Sequence, residues 1–566
     1  MPNLDRSLAV GQHVRHLGAA LVLSVLSASF LLVSSCAGVD AMSAERVVAD
    51  TPAGPLLGKE EDGVAIYRGI PFALAPVGER RWAPPEAVPD WKVQREALAF
   101  GPACPQPESR SQSIYASELG AVSEDCLSLN VWAPEDARDA PVFIWIHGGS
   151  LTTGAGSQPM YDGARMAREQ GLVVVTINYR LGVLGYLAHP ELSAESEQGI
   201  SGNYGLMDQI LALKWVERNI AAFGGNPDNV TIAGESAGAL SVVLLMTSPK
   251  AQGLFDKAIA QSAYMVTMAA LKEEANGLPS AESVGSELAE RIGGEDIDAL
   301  RAMPAGKIVG LAGKAGFFPF AVIDGVYLAD QMVATFDKGE QALVPVLAGF
   351  NEGEIRSLRF LLPPIPKQDD YELAVRNGYG DLADAFLDLY PSGSLESSML
   401  ATTRDAMYGW TAERLAASQT SQGYPSFFYL FDHGYPAADR VGLHAFHAAE
   451  IPYVFGTVSE AVAPWPEIPD TDQERDLSQA MMAYWASFAR DGRPVAEGAA
   501  EWPPYGDQAT GMVFADLPQS WPLLARNRFA LHEEVVCRRR SAGHIPWNWN
   551  VGVLSPPLPP KDSKCQ

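Results

Sequence analysis

Short runs of consecutive apolar residues, separated by segments with helical periodicity, dominate the chain between positions 141 and 238. Val142–Ile146 and Leu172–Ile177 are strongly apolar, which is typical of strands buried on both faces. Over Asp208–Phe223 the apolar residues instead recur every three or four positions, which predicts a helix with one buried face. A short strand at Val230–Ala233 and a helix at Ala237–Met246 follow. Strands that alternate with helices in this way predict an α/β fold with a mostly parallel sheet.

Composition limits what the chain can do. Its 566 residues are 47% hydrophobic and 19% charged, which is typical of a globular protein. Residues 50–535 contain no internal repeat and no low-complexity linker. We expect one domain over 45–545 and an extended Pro-rich tail over 546–566. Val344–Ala348 and Phe427–Phe431 are further strand candidates. The net charge of −27 argues against nucleic acid as a partner, because an acidic surface repels phosphate.

The N-terminus predicts export. An apolar run from Leu17 to Val33 follows a weakly basic start, and residues 1–35 read as a signal peptide. The run ends in Val33-Ser34-Ser35-Cys36, which resembles the lipobox of bacterial lipoproteins. That resemblance implies cleavage before Cys36, a lipid anchor on its thiol, and a periplasmic or outer-membrane location. An ordinary signal peptide with secretion, and a retained membrane anchor, are the alternatives.

The cysteines support the same compartment. Apart from Cys36 there are four, at positions 104, 126, 537 and 565, and four cysteines can pair in an oxidising environment. Three connectivities are possible, of which the pairing local in sequence joins Cys104 to Cys126 and Cys537 to Cys565. Metal binding is a poor alternative, because no two cysteines have the spacing of a typical zinc site.

The segment Gly234-Glu235-Ser236-Ala237-Gly238 carries the strongest chemical signal. It joins the predicted strand that ends at Gly234 to the helix that begins at Ala237. A tight turn of this kind exposes a serine hydroxyl, and small neighbours two positions away are needed to avoid a collision. Ser236 is therefore a candidate nucleophile, and the helix N-terminus beneath it adds positive dipole character. A plain glycine-rich turn is the alternative.

A second glycine-containing segment could stabilise the negative oxygen that forms during attack on a carbonyl. His147-Gly148-Gly149-Ser150 directly follows the strand Val142–Ile146. Small residues there allow backbone N–H groups to approach the reacting carbonyl. The amide of Ala237 would be a further donor.

In these segments the sequence resembles the type-B carboxylesterase family of α/β-hydrolases, over residues from about 50 to 535. The resemblance rests on the segments "NVTIAGESAGALSV" (Asn229–Val242), "EDCLSLNVW" (Glu124–Trp132), "YRGIPFA" (Tyr67–Ala73) and "NYGLMDQILALKWV" (Asn203–Val216). It implies an α/β-hydrolase fold, with helices on both faces of a mostly parallel central sheet and long loop insertions. It also implies a disulfide between Cys104 and Cys126, and oxyanion donors at Gly149 and Ser150. The family usually has glycine or alanine where this chain has Ser150.

The resemblance also selects the remaining catalytic groups. His444 and His447 both lie in "GLHAFHAAEIPYVFG". The family motif places its catalytic histidine three residues before a glutamate, which here indicates His447; His444 is the alternative. A carboxylate must orient the imidazole, and in this fold it comes between the serine and the histidine. In the family it follows a strand-ending glycine by five residues, which indicates Glu354; Glu352 is the alternative, and Asp324 resembles a structural aspartate. The family pattern further maps a salt bridge onto Arg81 and Glu124.

Together these features imply a serine hydrolase that cleaves small-molecule carboxylic esters through an acyl-enzyme. The chemistry requires no metal or organic cofactor. An amidase or lactonase with the same triad, and a non-catalytic binding protein on the same scaffold, are the alternatives. An ordinary histidine pKa would make kcat/KM fall near pH 6–7. Glu235 is expected to be buried behind Ser236, and Arg538-Arg539-Arg540 is interpreted as a solvated charged run.

Overall fold

The computed structural model describes residues 45–565, except 109–112, 117, 295, 365–366, 462, 507–509, 523–525 and 548–554. The predicted signal segment 1–35 and Cys36 lie outside the described residues. Residues 44–566 form one compact unit. In the part of the chain that the structure describes, none of the helices is both long enough and apolar enough to cross a membrane.

One thirteen-stranded sheet organises the described chain. The strands are β1 (Glu45–Thr51), β2 (Gly54–Glu61), β3 (Val64–Pro71), β4 (Arg95–Glu96), β5 (Ser128–Pro134), β6 (Ala140–Ile146), β7 (Val173–Ile177), β8 (Gly225–Glu235), β9 (Lys257–Gln261), β10 (Val346–Asn351), β11 (Ser426–Phe431), β12 (Thr510–Phe514) and β13 (Pro518–Pro522).

The centre of the sheet is parallel and its edges are antiparallel. In the order β7-β6-β8-β9-β10-β11-β12 every neighbouring pair is parallel. β1, β2, β3 and β5 extend one side as antiparallel strands, and β13 closes the other. The predicted mostly parallel α/β sheet is therefore present.

Helices connect the parallel strands and cover the sheet. They are α1 (Ala164–Gln170), α2 (Gly182–Tyr186), α3 (Pro190–Glu195), α4 (Tyr204–Asn219), α5 (Ala237–Thr247), α6 (Ala281–Ile292), α7 (Ile297–Ala302), α8 (Ala305–Lys314), α9 (Met332–Lys338), α10 (Glu354–Ser357), α11 (Gln368–Tyr379), α12 (Ala383–Leu389), α13 (Leu395–Arg404), α14 (Trp410–Ser421), α15 (Pro436–Arg440), α16 (Ile451–Phe455), α17 (Asp472–Asp491) and α18 (Arg526–Ala542). A π-helical turn, Asp405–Gly409, joins α13 to α14.

The two faces of the sheet bury separate hydrophobic cores, because side chains alternate along a strand. On β6, Val142, Ile144 and Ile146 enter one core, together with residues of α4, α5 and α14. Phe143 and Trp145 enter the other, together with residues of α1, α16 and α17. This two-sided burial explains why the central strands are apolar without alternation.

The predicted elements are found with small changes at their ends. β8 is the largest difference, since it extends to Gly225–Glu235 although only Val230–Ala233 was apolar enough to predict. Its first half is polar and lies at the irregular part of the pairing with β6. Polar residues at the end of a strand give no hydrophobic signal, so the sequence pattern did not include them.

The prediction of a solvated Arg538–Arg540 run is wrong for its first two members. The side chains of Arg538 and Arg539 are 1% and 0% exposed on α18. Arg538 donates to Asp381 at 2.7 and 2.9 Å and to Glu534 at 2.8 Å. A partner 157 residues away along the chain could not be recognised from the local sequence.

The tail packs back onto the domain. Residues 555–562 contain no helix or strand, and the amide of Leu558 donates to the carbonyl of Gly378 at 2.9 Å. A disulfide joins Cys565 to Cys537 on α18, and a second joins Cys104 to Cys126. Two disulfides indicate an oxidising compartment, either extracellular or periplasmic.

Candidate active site

Ser236 lies at the sharp turn between β8 and α5. Its backbone has φ 56° and ψ −122°, a conformation that costs a non-glycine residue about 1–3 kcal/mol and is concentrated at functional sites. The Ser236 amide donates to the carbonyl of Gln261 on β9 at 2.9 Å, which holds the turn against the sheet. The side chain of Ser236 makes no hydrogen bond to any described residue.

The glycines around Ser236 are required by close packing. A Cβ on Gly238 would overlap the carbonyl oxygen of Ile146, the last residue of β6. A Cβ on Gly234 would lie 2.5 Å from the carbonyl carbon of Gly238 across the turn. The structure therefore gives the two small residues the role that the turn motif predicted.

The loop after β6 places free amides beside the nucleophile turn. A Cβ on Gly148 would lie 3.3 Å from the Cβ of Ser236, so the two segments are in contact. Gly149 and Ser150 have positive φ angles of 106° and 56°. Within the described chain, the amides of Gly149, Ser150 and Ala237 donate no hydrogen bond. Three unpaired donors around one serine can hold an oxyanion.

His147 packs in and supports this loop. Its ring stacks on Tyr179 with centroids 4.6 Å apart, and its Nδ1 bonds the carbonyl of Gly148 at 2.9 Å. Burial lowers the pKa of His147 to about 4. A neutral, packed imidazole fixes the loop that carries the amides of Gly149 and Ser150.

His447 contacts two carboxylates from different parts of the chain. Its Nδ1 bonds Oε2 of Glu354 in a short hydrogen bond, and its Nε2 lies 3.2 Å from Oε1 of Glu235. Because Glu235 precedes Ser236 in the chain, this contact brings Nε2 to the nucleophile turn. Burial lowers the pKa of His447, but the two carboxylates outweigh that effect and raise it to about 9.

Glu354 is fully buried and held at its second oxygen as well. Oε1 accepts hydrogen bonds from Ser262 Oγ at 2.5 Å and from the amide of Asn351 at 2.8 Å. These bonds fix the carboxylate that faces His447, so the imidazole has one orientation.

Backbone contacts join the loop of the acid to the loop of the histidine. The amide of Gly353 donates to the carbonyl of Ala445 at 2.8 Å, and Asn351 Nδ2 donates to that of Phe446 at 2.8 Å. Asn351 also donates to one carboxylate oxygen of Glu450 at 2.6 Å. The other oxygen of Glu450 accepts from Gln261 Nε2 at 2.9 Å. Glu450, which the motif used to select His447, thus anchors the histidine loop to β9 and β10.

Glu235 is buried next to Ser236, as expected. Its Oε1 forms no aligned hydrogen bond with the described residues, despite the short distance to His447. Burial raises the pKa of Glu235 well above its ordinary value. Glu235 and His447 therefore compete for protons as a coupled pair.

The alternative residues lie outside this constellation. His444 bonds Asp439 at 2.9 Å and Asp432 at 3.1 Å, and these bonds raise its pKa to about 9. Glu352 accepts from Arg404 at 2.9 Å. The ligand atoms of Glu352, Asp432 and His444 lie within 4.8 Å of one another, as in a metal site. Each of these groups has a charged partner, so we assign the cluster as an ion-pair network.

Two further arrangements at predicted residues are structural. Asp324 accepts from Asn203 Nδ2 at 2.8 Å and from the three amides of the following turn. Arg81 and Glu124 form an ion pair at 2.6 Å beside the Cys104–Cys126 disulfide. Both arrangements agree with the scaffold roles that the sequence indicated.

Several residues at the site gave no sequence signal. Tyr115, in the loop between Cys104 and Cys126, bonds the carbonyl of His447 at 3.0 Å and Ser357 Oγ at 2.7 Å. Ser262 and Asn351 bind Glu354, as described above. Tyr115 and Ser262 lie far along the chain from their partners, whereas Asn351 is three residues from Glu354. None of the three belongs to a motif with chemical meaning of its own.

Comparison with known proteins fits this geometry. A model described as "Carboxylesterase family" matches residues 45–529. The chain belongs to this family. It is 37% identical over 513 residues to fumonisin B1 esterase from Sphingopyxis macrogoltabida, covering 87% of this chain and 91% of that protein. It is 36% identical over 478 residues to para-nitrobenzyl esterase from Bacillus subtilis (strain 168), covering 83% and 94%.

Solved structures agree on the fold. A PNB esterase structure aligns with a TM-score of 0.74 at 32% identity, over 85% of this chain and 98% of the other. The α/β-hydrolase fold and the resemblance to type-B carboxylesterases are therefore confirmed. As a member of the carboxylesterase family with esterases as relatives, the chain is a carboxylic ester hydrolase. The amidase, lactonase and binding-protein alternatives are not favoured.

Proposed function

We propose that this carboxylesterase uses Ser236 as nucleophile, His447 as general base and Glu354 as the carboxylate that orients the imidazole. Ser236 Oγ attacks the ester carbonyl while His447 Nε2 accepts its proton. The same imidazole then returns the proton to the leaving alcohol, which produces an acyl-enzyme. A water molecule, activated by His447, hydrolyses that acyl-enzyme and releases the acid.

The amides of Gly149, Ser150 and Ala237 would stabilise the negative oxygen of each tetrahedral intermediate. One such donor is worth about 3 kcal/mol when it points to the developing charge. Ser150 fits this role despite departing from the family's usual residue, because the donor is its backbone N–H.

The observation that carries the proposal is the bond between His447 Nδ1 and Glu354, with Nε2 of the same ring at the nucleophile turn. A carboxylate at Nδ1 fixes the tautomer that leaves Nε2 free to accept a proton. A histidine held in this way beside a strained serine turn has the parts that acyl transfer requires.

Two serine variants in the same site test the assignment. Ser236→Ala should lower kcat for para-nitrobenzyl and para-nitrophenyl esters by about 10⁴-fold or more, because the nucleophile is lost. Ser150→Ala is the matched control, and it should change kcat/KM by less than about five-fold because the amide remains. A burst of nitrophenol in the wild type would report the acyl-enzyme. Undiminished turnover by Ser236→Ala would refute the proposal.

For the N-terminus we infer cleavage before Cys36 and lipid attachment to its thiol. The support is the apolar run that ends at Val33-Ser34-Ser35-Cys36, together with two disulfides in the domain. The esterase would then be tethered in the periplasm or at the outer membrane; secretion after ordinary signal cleavage is the alternative. Mass spectrometry of the mature N-terminus distinguishes them, and an unmodified N-terminus, or one that does not begin at Cys36, would refute the anchor.

A further inference from the structure

A π-helical turn next to the catalytic histidine presents one residue to the site. Asp405–Gly409 interrupts the long helix formed by α13 and α14. Such π-helical turns are uncommon in proteins, and those that occur often lie at functional sites. The turn is held by Asp405, which accepts from Arg404 Nε at 2.7 Å and from Tyr390 at 3.1 Å. A Cβ on Gly409 would overlap the ring of Phe529, so the turn is packed directly on α18.

Tyr408 is the residue that this turn directs towards the catalytic groups. Its ring lies 5.3 Å from the ring of His447 and 6.1 Å from that of Tyr264, measured between centroids. The side chain is only 2% exposed. Because both ends of the turn are fixed, the ring of Tyr408 is held in place beside that of His447.

The hydroxyl of Tyr408 is unpaired. It makes no hydrogen bond to any residue that the structure describes. The hydroxyl oxygen is not fully enclosed by the described residues, so it can donate to a bound molecule. Burial raises the pKa of Tyr408 well above its ordinary value, and the carboxylates of Glu354 and Glu235 add to the shift, so the hydroxyl stays protonated and can act as a donor.

We propose that Tyr408 is a specificity-determining residue whose hydroxyl donates a hydrogen bond to an oxygen of the substrate other than the scissile ester oxygens. The preferred substrates would then be esters with an ether, hydroxyl or carbonyl oxygen a few bonds from the ester. That oxygen could belong to the acyl chain or to the alcohol. This inference rests on the proposed function, since it places the ester at Ser236 and His447.

Pairs of isosteric esters test this inference. On the acyl side, para-nitrophenyl 3-methoxypropanoate is compared with para-nitrophenyl pentanoate. On the alcohol side, 2-methoxyethyl butanoate is compared with butyl butanoate. For one pair, the ratio of kcat/KM for the ether ester to that for its hydrocarbon isostere should fall about five-fold in Tyr408→Phe, because one neutral hydrogen bond is lost. The pair that responds identifies the side of the substrate that Tyr408 contacts.

Tyr429→Phe is the matched control. Its hydroxyl is also unpaired, but the side chain is enclosed by aromatic residues of the other core, where a substrate cannot reach. Both ratios should stay unchanged in this variant. If Tyr408→Phe leaves both ratios unchanged, the inference is wrong. Activity that persists in Ser236→Ala would instead overturn the proposed function, so the two failures are distinguishable.

Discussion

At the residue scale, His447 is unusual because carboxylates face both nitrogens of its ring. Glu354 bonds Nδ1, and Glu235 lies 3.2 Å from Nε2. The sequence expectation of a fall in activity near pH 6–7 assumed an ordinary histidine. The two carboxylates raise the pKa of His447 to about 9, so the imidazolium persists to higher pH.

This pKa predicts where kcat/KM falls. The base must be neutral, so activity should be lost as pH decreases through the raised pKa, with a midpoint above 6.5. Glu235→Gln removes one carboxylate that favours the imidazolium and should move the midpoint to lower pH. Profiles of kcat/KM against pH for both proteins measure the shift. Identical midpoints would show that Glu235 does not act on His447.

Glu352 and Glu354 are two positions apart, and replacing each in turn tests which carboxylate orients His447. Glu354→Gln should lower kcat/KM by about 10³–10⁴-fold, because an amide cannot both hold the tautomer and stabilise the imidazolium. Glu352→Gln should change it by less than about three-fold, since Glu352 pairs with Arg404 instead. Steady-state kinetics on one para-nitrophenyl ester measures both. Equal losses of kcat/KM in the two variants would contradict the assignment of Glu354 rather than Glu352.

At the element scale, the site depends on how closely β6, β8 and α5 approach. Gly238 contacts the carbonyl of Ile146 with no space for a Cβ. The loop after β6, which carries the amides of Gly149 and Ser150, then contacts the turn that carries Ser236 and the amide of Ala237. The geometry of these donors is a property of packed elements rather than of any one residue.

Gly238→Ala should disturb that packing. The added methyl forces α5 away from β6, and a displacement of about 1 Å between reacting groups costs about 10²-fold in rate. The free energy of unfolding should also fall by about 1–3 kcal/mol. Gly310→Ala, in α8 with open space around its Cα, is the control and should stabilise the protein by about 0.5–1 kcal/mol. Thermal unfolding and kcat/KM test both variants, and a fully active, stable Gly238→Ala would contradict this account.

At the scale of the whole molecule, the two disulfides have different surroundings. Cys104–Cys126 closes a loop that contains Tyr115, which bonds the carbonyl of His447. Cys537–Cys565 fastens the tail to α18, where Arg538 pairs with Asp381. One disulfide is therefore connected to His447 and the other to the C-terminal packing.

Removal of the two disulfides should have different effects on activity. Replacing Cys537 and Cys565 by serine should lower the free energy of unfolding by about 3–4 kcal/mol, as expected for a loop of 28 residues, and leave kcat/KM within about two-fold. Replacing Cys104 and Cys126 should also reduce kcat/KM, because Tyr115 is no longer held on the histidine loop. Denaturant unfolding and kinetics measure both. Equal kinetic effects would disprove the proposed link through Tyr115.

The sequence by itself determined the elements with a local signature. Buried parallel strands are continuously apolar, helices have a 3.6-residue period, and the nucleophile turn needs glycines at fixed spacing, so β6, β7, α5 and Ser236 were all recognisable. The resemblance to a family added His447, Glu354 and the Cys104–Cys126 pairing. These inferences depend on local backbone requirements and motif spacing, which can be recognised in the linear sequence.

Only the tertiary structure decided which distant side chains meet. Glu354 rather than Glu352 faces His447, because Gly353 is bonded to the histidine loop and fixes the rotation of the chain there. Contacts between distant segments also decide the burial of Arg538, the approach of Glu235 to His447 and the position of Tyr408. Each depends on contacts between segments that are far apart in the chain, and the local patterns that predict a strand or a helix contain no information about such contacts.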